Sequence, residues 1–377
     1  MLRISQMLWV FAFAAFNATV AAQAGGPDEI TVFEENDVIN PFSEGTDRFY
    51  TQGLRIEWFD HHRKADDDFL PAVSNEAWCS LLCGDGGDRA TFHSGFAIQQ
   101  TMYTPERIDI ARPQPFERPW AGLLSVSRIA RATYPSSHGA TRRDTIEVSL
   151  GVTGPPSLAG DTQIWWHDVI GAQRPNGWEN QIGTEPILQT RYESSLRWPR
   201  ESGGNADFVG RVGFNLGNAL VSAESDAIFR IGWNLTGFGP SSIPGPKSFT
   251  LPNAEARAKV EDKRSRTKRS GRASGAAPNG NRRTKWFDSG NLFVRGGLSV
   301  IAHSIVLDGN TFATNDIRID RKLLVPEVAI GAQLNLVDGF WLTGQFVHRG
   351  SEYQSIRGRD ADPQEFGAIT LAWIRPF

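Results

Sequence analysis

A period of two constrains this chain more than any other feature. Twelve segments send successive side chains to opposite faces: 29–35, 48–59, 91–103, 119–133, 143–153, 187–198, 206–216, 223–235, 290–303, 319–335, 339–349 and 364–377. Most run near the ~10 residues that a tilted strand needs to cross a bilayer, and almost none shows the 3.6-residue period of an amphipathic helix. No stretch after the N-terminal region approaches the ~20 apolar residues of a membrane helix, a test that passes over barrels because their strands average to neutral hydropathy. An even number of strands suits a single-chain bacterial barrel with both termini in the periplasm. Glycines inside the strands (Gly151, Gly210, Gly213, Gly296, Gly297, Gly331, Gly344) suit tight curvature. The expected fold is all-β: a transmembrane antiparallel β-barrel of about 12 strands, with a short helix in an outward-facing loop.

The chain ends fit a barrel of the bacterial outer membrane. Arg3, the apolar run Met7–Phe16 and the small residues Ala21, Ala22 and Ala24 form a secretory signal over residues 1–22, cut near 22–24. The barrel then occupies 25–377. In the last segment, FGAITLAWIRPF, Ile369, Leu371, Trp373 and Phe377 share one face. An alternating strand that stops at an aromatic residue resembles the signal read by the barrel-insertion machinery. The 12 Trp and 23 Phe suit a lipid-facing band with aromatic girdles, and a net charge of −3 gives no reason to expect nucleic acid. Cys79 and Cys83, in AWCSLLCGD, have no histidine nearby; export permits a local disulfide, the other reading being two inert thiols. Residues 252–285 hold eleven Lys or Arg against three acids and form a basic, solvated insertion with the composition of disorder.

With both termini inside, connections 36–47, 104–118, 154–186, 217–222, 304–318 and 350–363 face outward. Connections 60–90, 134–142, 199–205, 236–289 and Val337–Gly339 face the periplasm, which puts the basic insertion inside although long loops usually face out. The outward connection 154–186 contains a predicted helix over Asp161–Ala172, ended by Gly171 and Pro175. It carries His167 to the membrane surface that also holds Asn36, Asp37 and Thr51. A histidine beside Trp165 and Trp166 is more often a packed interfacial residue than a catalyst; convergence with an amide, a carboxylate and a hydroxyl changes that balance. Imidazole takes a proton from water near pH 7, and carboxylate and amide oxygens are ligands that calcium prefers. A bound cation polarises an ester carbonyl. No G-x-S-x-G elbow occurs, so these parts describe ester hydrolysis without a serine nucleophile.

The segments ENDVI (35–39), TDRFYTQGLRIEW (46–58), ERPWAG (117–122), SLGVTGPPSLA (149–159), WWHDVIGAQRPNGWENQIGTEP (165–186), LDGNTF (307–312) and PQEFGAITLAW (363–373) resemble, in order, the outer-membrane lipid A deacylase family. The resemblance implies a twelve-stranded barrel that removes the 3′-linked acyloxyacyl chain of lipid A, with calcium as cofactor and lipopolysaccharide in the outer membrane as substrate. It implies His167 as general base, Asn36 and Asp37 as the residues arranging calcium and water, and Thr51 in the same cluster. Trp120, where the family often has Tyr, and Gln173-Arg174 depart from its pattern. Arg48, Arg107 and Arg118 are candidates to steer the phosphorylated disaccharide, and Trp120, Trp165, Trp166 and Trp178 to border an acyl groove. For each arginine the competing reading is a solvated rim charge; for Trp178 it is an anchor onto the barrel wall. Two alternatives from other classes stand beside the esterase. One is a non-catalytic barrel, porin or structural. The other is an outer-membrane phospholipase, which needs a serine beside a histidine; Ser157, ten residues before His167, is the nearest.

Overall fold

The computed structural model describes residues 29–39, 49–60, 82, 90–199, 205–239, 287, 289–313, 317–336, 339–354 and 360–374. The predicted signal segment, Cys79 and Cys83, Arg48, Phe377 and the insertion at 252–285 lie outside them. Twelve strands pair antiparallel with their sequence neighbours: β1 (Glu29–Asn36), β2 (Phe49–Asp60), β3 (Thr91–Thr104), β4 (Ala121–Pro135), β5 (Thr141–Thr153), β6 (Pro186–Pro199), β7 (Ala206–Gly217), β8 (Leu220–Trp233), β9 (Ser289–Ser304), β10 (Leu324–Asn335), β11 (Phe340–Arg349) and β12 (Gln364–Ile374). Pairing of β1 with β12 closes the sheet into a barrel. Closure leaves no unpaired edge, which hydrocarbon would not tolerate.

The strand limits follow the sequence period closely, with one larger difference. The segment expected from 319 enters the sheet only at Leu324. The residues before it hold loops instead: Arg321 pairs with Asp308 at 3.0 Å, and Lys322 with Asp360 at 2.6 Å.

The two faces of the wall invert the usual distribution of polarity. Outward positions such as Val126, Leu150, Leu188, Val212, Leu216, Ile231 and Leu292 are exposed, as a lipid-facing surface requires. Trp58 with Phe96, and Trp198 with Phe208, pair near the inner rim with ring centres 6.1 and 5.7 Å apart. The lumen is charged and filled. Arg55 of β2 donates Nε to Glu57 at 2.7 Å and its terminal nitrogens to Glu147 of β5 at 3.0 Å and Gln99 of β3 at 2.7 Å. Arg197 and Arg230 share Asp207 at 2.7 and 2.6 Å. Each such pair is stable only because both partners are present and hydrogen-bonded.

After β8, Asn234 (φ 50°) turns the chain back into the lumen. The carbonyls of Leu235, Thr236 and Phe238 accept hydrogen bonds from Arg197 (2.8 Å), Arg230 (2.9 Å) and Arg211 (2.7 Å). The connection between β8 and β9 leaves from the end of the barrel at which β1 begins and β12 ends.

Arg55→Met would leave Glu57 and Glu147 buried without their cation. We expect a loss of about 3–5 kcal/mol in unfolding free energy, read from urea unfolding of the refolded barrel in detergent.

Candidate functional site

The site is built on the outer face of the wall, at the outer rim of β1 to β4. Alternation fixes the faces. In β1, Phe33 packs with Trp341 in the lumen and Glu35 accepts the Tyr50 hydroxyl at 3.0 Å. Glu34 and Asn36, between and beyond them, point outward. In β3, Gln99 and Tyr103 line the lumen, so Gln100, Met102 and Thr104 point out. In β2 the register shifts between Tyr50 and Gln52, a bulge with Thr51 as its extra residue. Bulges re-aim side chains, and this one brings Thr51 Oγ1 within 2.8 Å of Thr104 Oγ1. Gln52, opposite Asn36, gives Nε2 to Glu34 at 2.9 Å.

Polar groups on this face need cover, and over β3 and β4 helix α1 (Ala159–Ile170) supplies it. Its entry passes directly over β4: a Cβ at Gly122 would lie 2.2 Å from Ser157 Oγ and 2.5 Å from Ala159 Cβ. The Ser157 carbonyl accepts Gln100 Nε2 at 2.7 Å. Gly171 (φ 65°) ends the helix as the sequence predicts, with its N–H on the His167 carbonyl. The helix has three faces. Ala159, Gln163 and His167, spaced i, i+4, i+8, are buried toward the wall. Leu158, Trp165 and Val169 form an exposed apolar strip, and Asp161 and Asp168 an exposed acidic one beside it. A polar buried face and an apolar outer strip reverse the soluble pattern and suit a helix lying in a membrane interface.

His167 is 2% exposed. Its Nδ1 contacts the Gln173 carbonyl. A carbonyl only accepts, so Nδ1 carries a hydrogen, and in the neutral ring the lone pair is then on Nε2. One turn earlier, Gln163 Oε1 takes the Trp178 indole N–H at 2.8 Å, while its buried Nε2 finds no acceptor among the described residues. Asn36, Asp37 and Thr51 are 5%, 4% and 2% exposed. Asp37 opens a 3₁₀ turn, Asp37–Ile39, whose Ile39 lies against Gly367 on the outside of β12. Asn36 Oδ1 accepts the Val38 N–H at 2.9 Å and so fixes that turn.

Two of the four predicted catalytic residues, Asn36 and Thr51, thus lie at the outer face of β1 and β2, Asp37 opens the turn that follows β1, and His167 stands on the helix over the adjoining β3 and β4. The substrate-binding expectations fare differently. Arg118 is fully buried and points the other way, into the mouth of the lumen. It pairs with Glu352 and lies 5.2 and 5.6 Å from the ring centres of Tyr103 and Tyr353. It braces strands and does not meet lipid. Trp120 and Trp178 are 3% and 6% exposed, 5.1 Å apart, packed with Met102, Ile108 and Ala159 beneath the helix. They anchor the loop and border no open groove. Arg107 is exposed and paired with Asp109 at 2.7 Å. Sequence reading missed Glu34, Gln52, Gln100 and Gln163. The available signal was polarity on strand positions that should face lipid, obscured by the bulge at Thr51.

Distant motifs clamp the loop that carries the helix. Asn310, within LDGNTF, accepts the Gly183 N–H at 2.6 Å and donates to its carbonyl at 2.9 Å. Glu185 accepts the Phe312 N–H and the Asn218 amide, each at 2.9 Å. Burial alone would raise its pKa; these donors hold the carboxyl below its usual range.

The family model described as "Outer membrane protein LpxR" matches residues 7–375. Among solved structures, LpxR from Salmonella typhimurium superposes with a TM-score of 0.60 at 16% identity, covering 92% of this chain and 99% of that one. The β-domain of the Bordetella autotransporter BrkA aligns at 8% identity with a TM-score of 0.41, over 93% and 98%. At such identities structural likeness speaks for the fold alone, and the second score is too low to weigh. No curated protein sequence matches.

Gly122→Val should lift α1 off the wall: residues 154–186 become sensitive to limited proteolysis while the barrel keeps its folded mobility on gels. At the lumen mouth, burial opposes ionisation of Glu352, but Arg349 and Arg118 outweigh it and hold the carboxyl down to about 2 from 4.5. The pairing therefore adds stability in full above about pH 4.5 and loses it as pH falls toward about 2. Faster hydrogen exchange at 350–354 across that interval would check this.

Proposed function

The chain belongs to the LpxR family of outer-membrane proteins, and from that premise we propose that it is a calcium-dependent esterase acting on lipid A. The bond cleaved is the 3′-linked acyloxyacyl ester, presented by lipopolysaccharide in the outer leaflet. The observation that carries this reading is the position of His167: buried, on a helix that roofs the lipid-facing side of the wall. A substrate that never leaves the membrane approaches from that side, and the apolar strip Leu158, Trp165 and Val169 gives its acyl chains a continuous surface with the wall below.

In this reading the His167 Nε2 lone pair takes a proton from water as the water oxygen adds to the ester carbonyl. The C–O bond to the sugar then breaks, the acid departs, and the imidazolium returns its proton to the sugar oxygen. The Gln173 carbonyl, accepting Nδ1–H, orients the ring and stabilises its transient positive charge. Gln163 Nε2, on the same helical face, offers an N–H donor to charge that builds up on oxygen. Asn36, Asp37 and Thr51 would hold the calcium ion, contributing amide, carboxylate and hydroxyl oxygens. Among the described residues no three His, Cys, Asp or Glu gather closely enough to hold a metal by themselves. Such a site draws on neutral oxygens and water, which suits calcium and not zinc. When bound, the ion would supply a Lewis acid for the ester carbonyl.

The alternatives gain no support from the geometry. Lumenal ion pairs tie strand to strand, and the returning segment Leu235–Gly239 is hydrogen-bonded to lumenal arginines. Ser157, which a phospholipase would require as nucleophile, is fully buried, with Oγ 3.4 Å from the Ala159 N–H at the helix start.

His167→Ala should lower acyl release from purified lipid A by about 10²–10⁴-fold, the usual contribution of a general base, in a barrel that still folds and reaches the outer membrane. Full activity in that variant overturns the mechanism. Trp165→Asp should cut activity on vesicle-borne lipid A at least tenfold (~1.4 kcal/mol) and spare detergent-dispersed substrate.

A further inference from the structure

Glu34 is a carboxyl side chain on the outer face of a membrane-spanning wall, 6% exposed, and among the described residues no cationic side chain accompanies it. Such a group is costly to keep unless its hydrogen bonds serve something. Its partners are two amides: Gln52 Nε2 at 2.9 Å, and the Asn36 side chain. The Asn36 amide is thereby held at both ends. Its N–H side meets the Glu34 carboxyl, and Oδ1 takes the Val38 N–H at 2.9 Å at the start of the turn that bears Asp37. A flipped amide would set its NH₂ against the Val38 N–H, so the flip is disfavoured. Gln52 reaches Glu34 because it stands opposite Asn36 in the β1–β2 register and next to the bulge at Thr51.

We propose that Glu34, steadied by Gln52, is a positioning residue that fixes the Asn36 amide and the Asp37 turn for cation binding. This role rests on the reading that Asn36 and Asp37 hold calcium. Glu34 acts by accepting hydrogen bonds, so a neutral side chain of the same shape that keeps one acceptor oxygen preserves part of its effect. Second-layer partners of this kind typically change metal affinity about 10–100-fold when removed.

The test is calcium titration of refolded protein in detergent by calorimetry, with no substrate present. E34V should bind calcium at least about tenfold more weakly than wild type. E34Q, which keeps one acceptor oxygen and the same shape, should recover part of the affinity lost in E34V, rescue that mere loss of packing would not show. Should E34V fail to fold, Gln52→Ala removes the other support and should weaken binding by about three- to tenfold. Wild-type affinity in E34V, or in Gln52→Ala where that variant replaces it, overturns the positioning role alone. So does an E34Q as impaired as E34V, which would assign the effect to charge. A wild-type protein that binds no calcium overturns the proposed cation site, and this role with it.

Discussion

A polar side chain on the outer face of a membrane barrel must be covered by protein or left against hydrocarbon, and leaving it there costs several kcal/mol. That constraint governs this molecule. Closing the sheet gives every strand position a fixed side, and Glu34, Asn36, Thr51, Gln52, Gln100 and Thr104 fall on the side where lipid should be. Over β3 and β4 helix α1 resolves the conflict, its entry capping Gln100 and its own polar residues, Gln163 and His167, buried. The wall, the helix and the chemistry proposed between them are consequences of one geometric fact.

Support for that helix comes from elements that carry no chemistry. Gly122 lets it approach the wall, Trp120 and Trp178 fill the space beneath it, and Asn310 grips the peptide at Gly183. The lumen plays a separate part. Its arginine and carboxylate pairs, from Arg55–Glu147 to Arg349–Glu352, do what an apolar core does elsewhere, and removal of one member strands the other.

The sequence made the strands legible because a period of two cannot be kept over ten residues without fixing two faces. It placed the helix and its glycine stop for similar local reasons. Side chains at strand ends and in loops were harder, since one bulge exchanges the faces. Arg118 read as a rim cation and proved to brace the lumen; it sits before β4, where no alternation fixes its direction. Trp120 read as a groove residue and proved to be filling, and for Trp178 the anchor reading fits the packing. Glu34 was passed over because ENDVI drew attention to its neighbours. His167, Asn36, Asp37 and Thr51 were singled out through the resemblance and the parity of the loops together, and the outward side of Asn36 and of the bulge at Thr51 emerged only from the register.

The most direct measurement asks which side of the wall meets the substrate. A photo-crosslinking amino acid is placed in turn at Gln52, which faces outward, and at Gln99, which faces the lumen, in a His167→Ala background that retains substrate. Crosslinks to lipopolysaccharide from position 52 and none from 99 are what a site between wall and helix predicts. Crosslinks from 99 alone would move the reaction into the lumen and contradict the account.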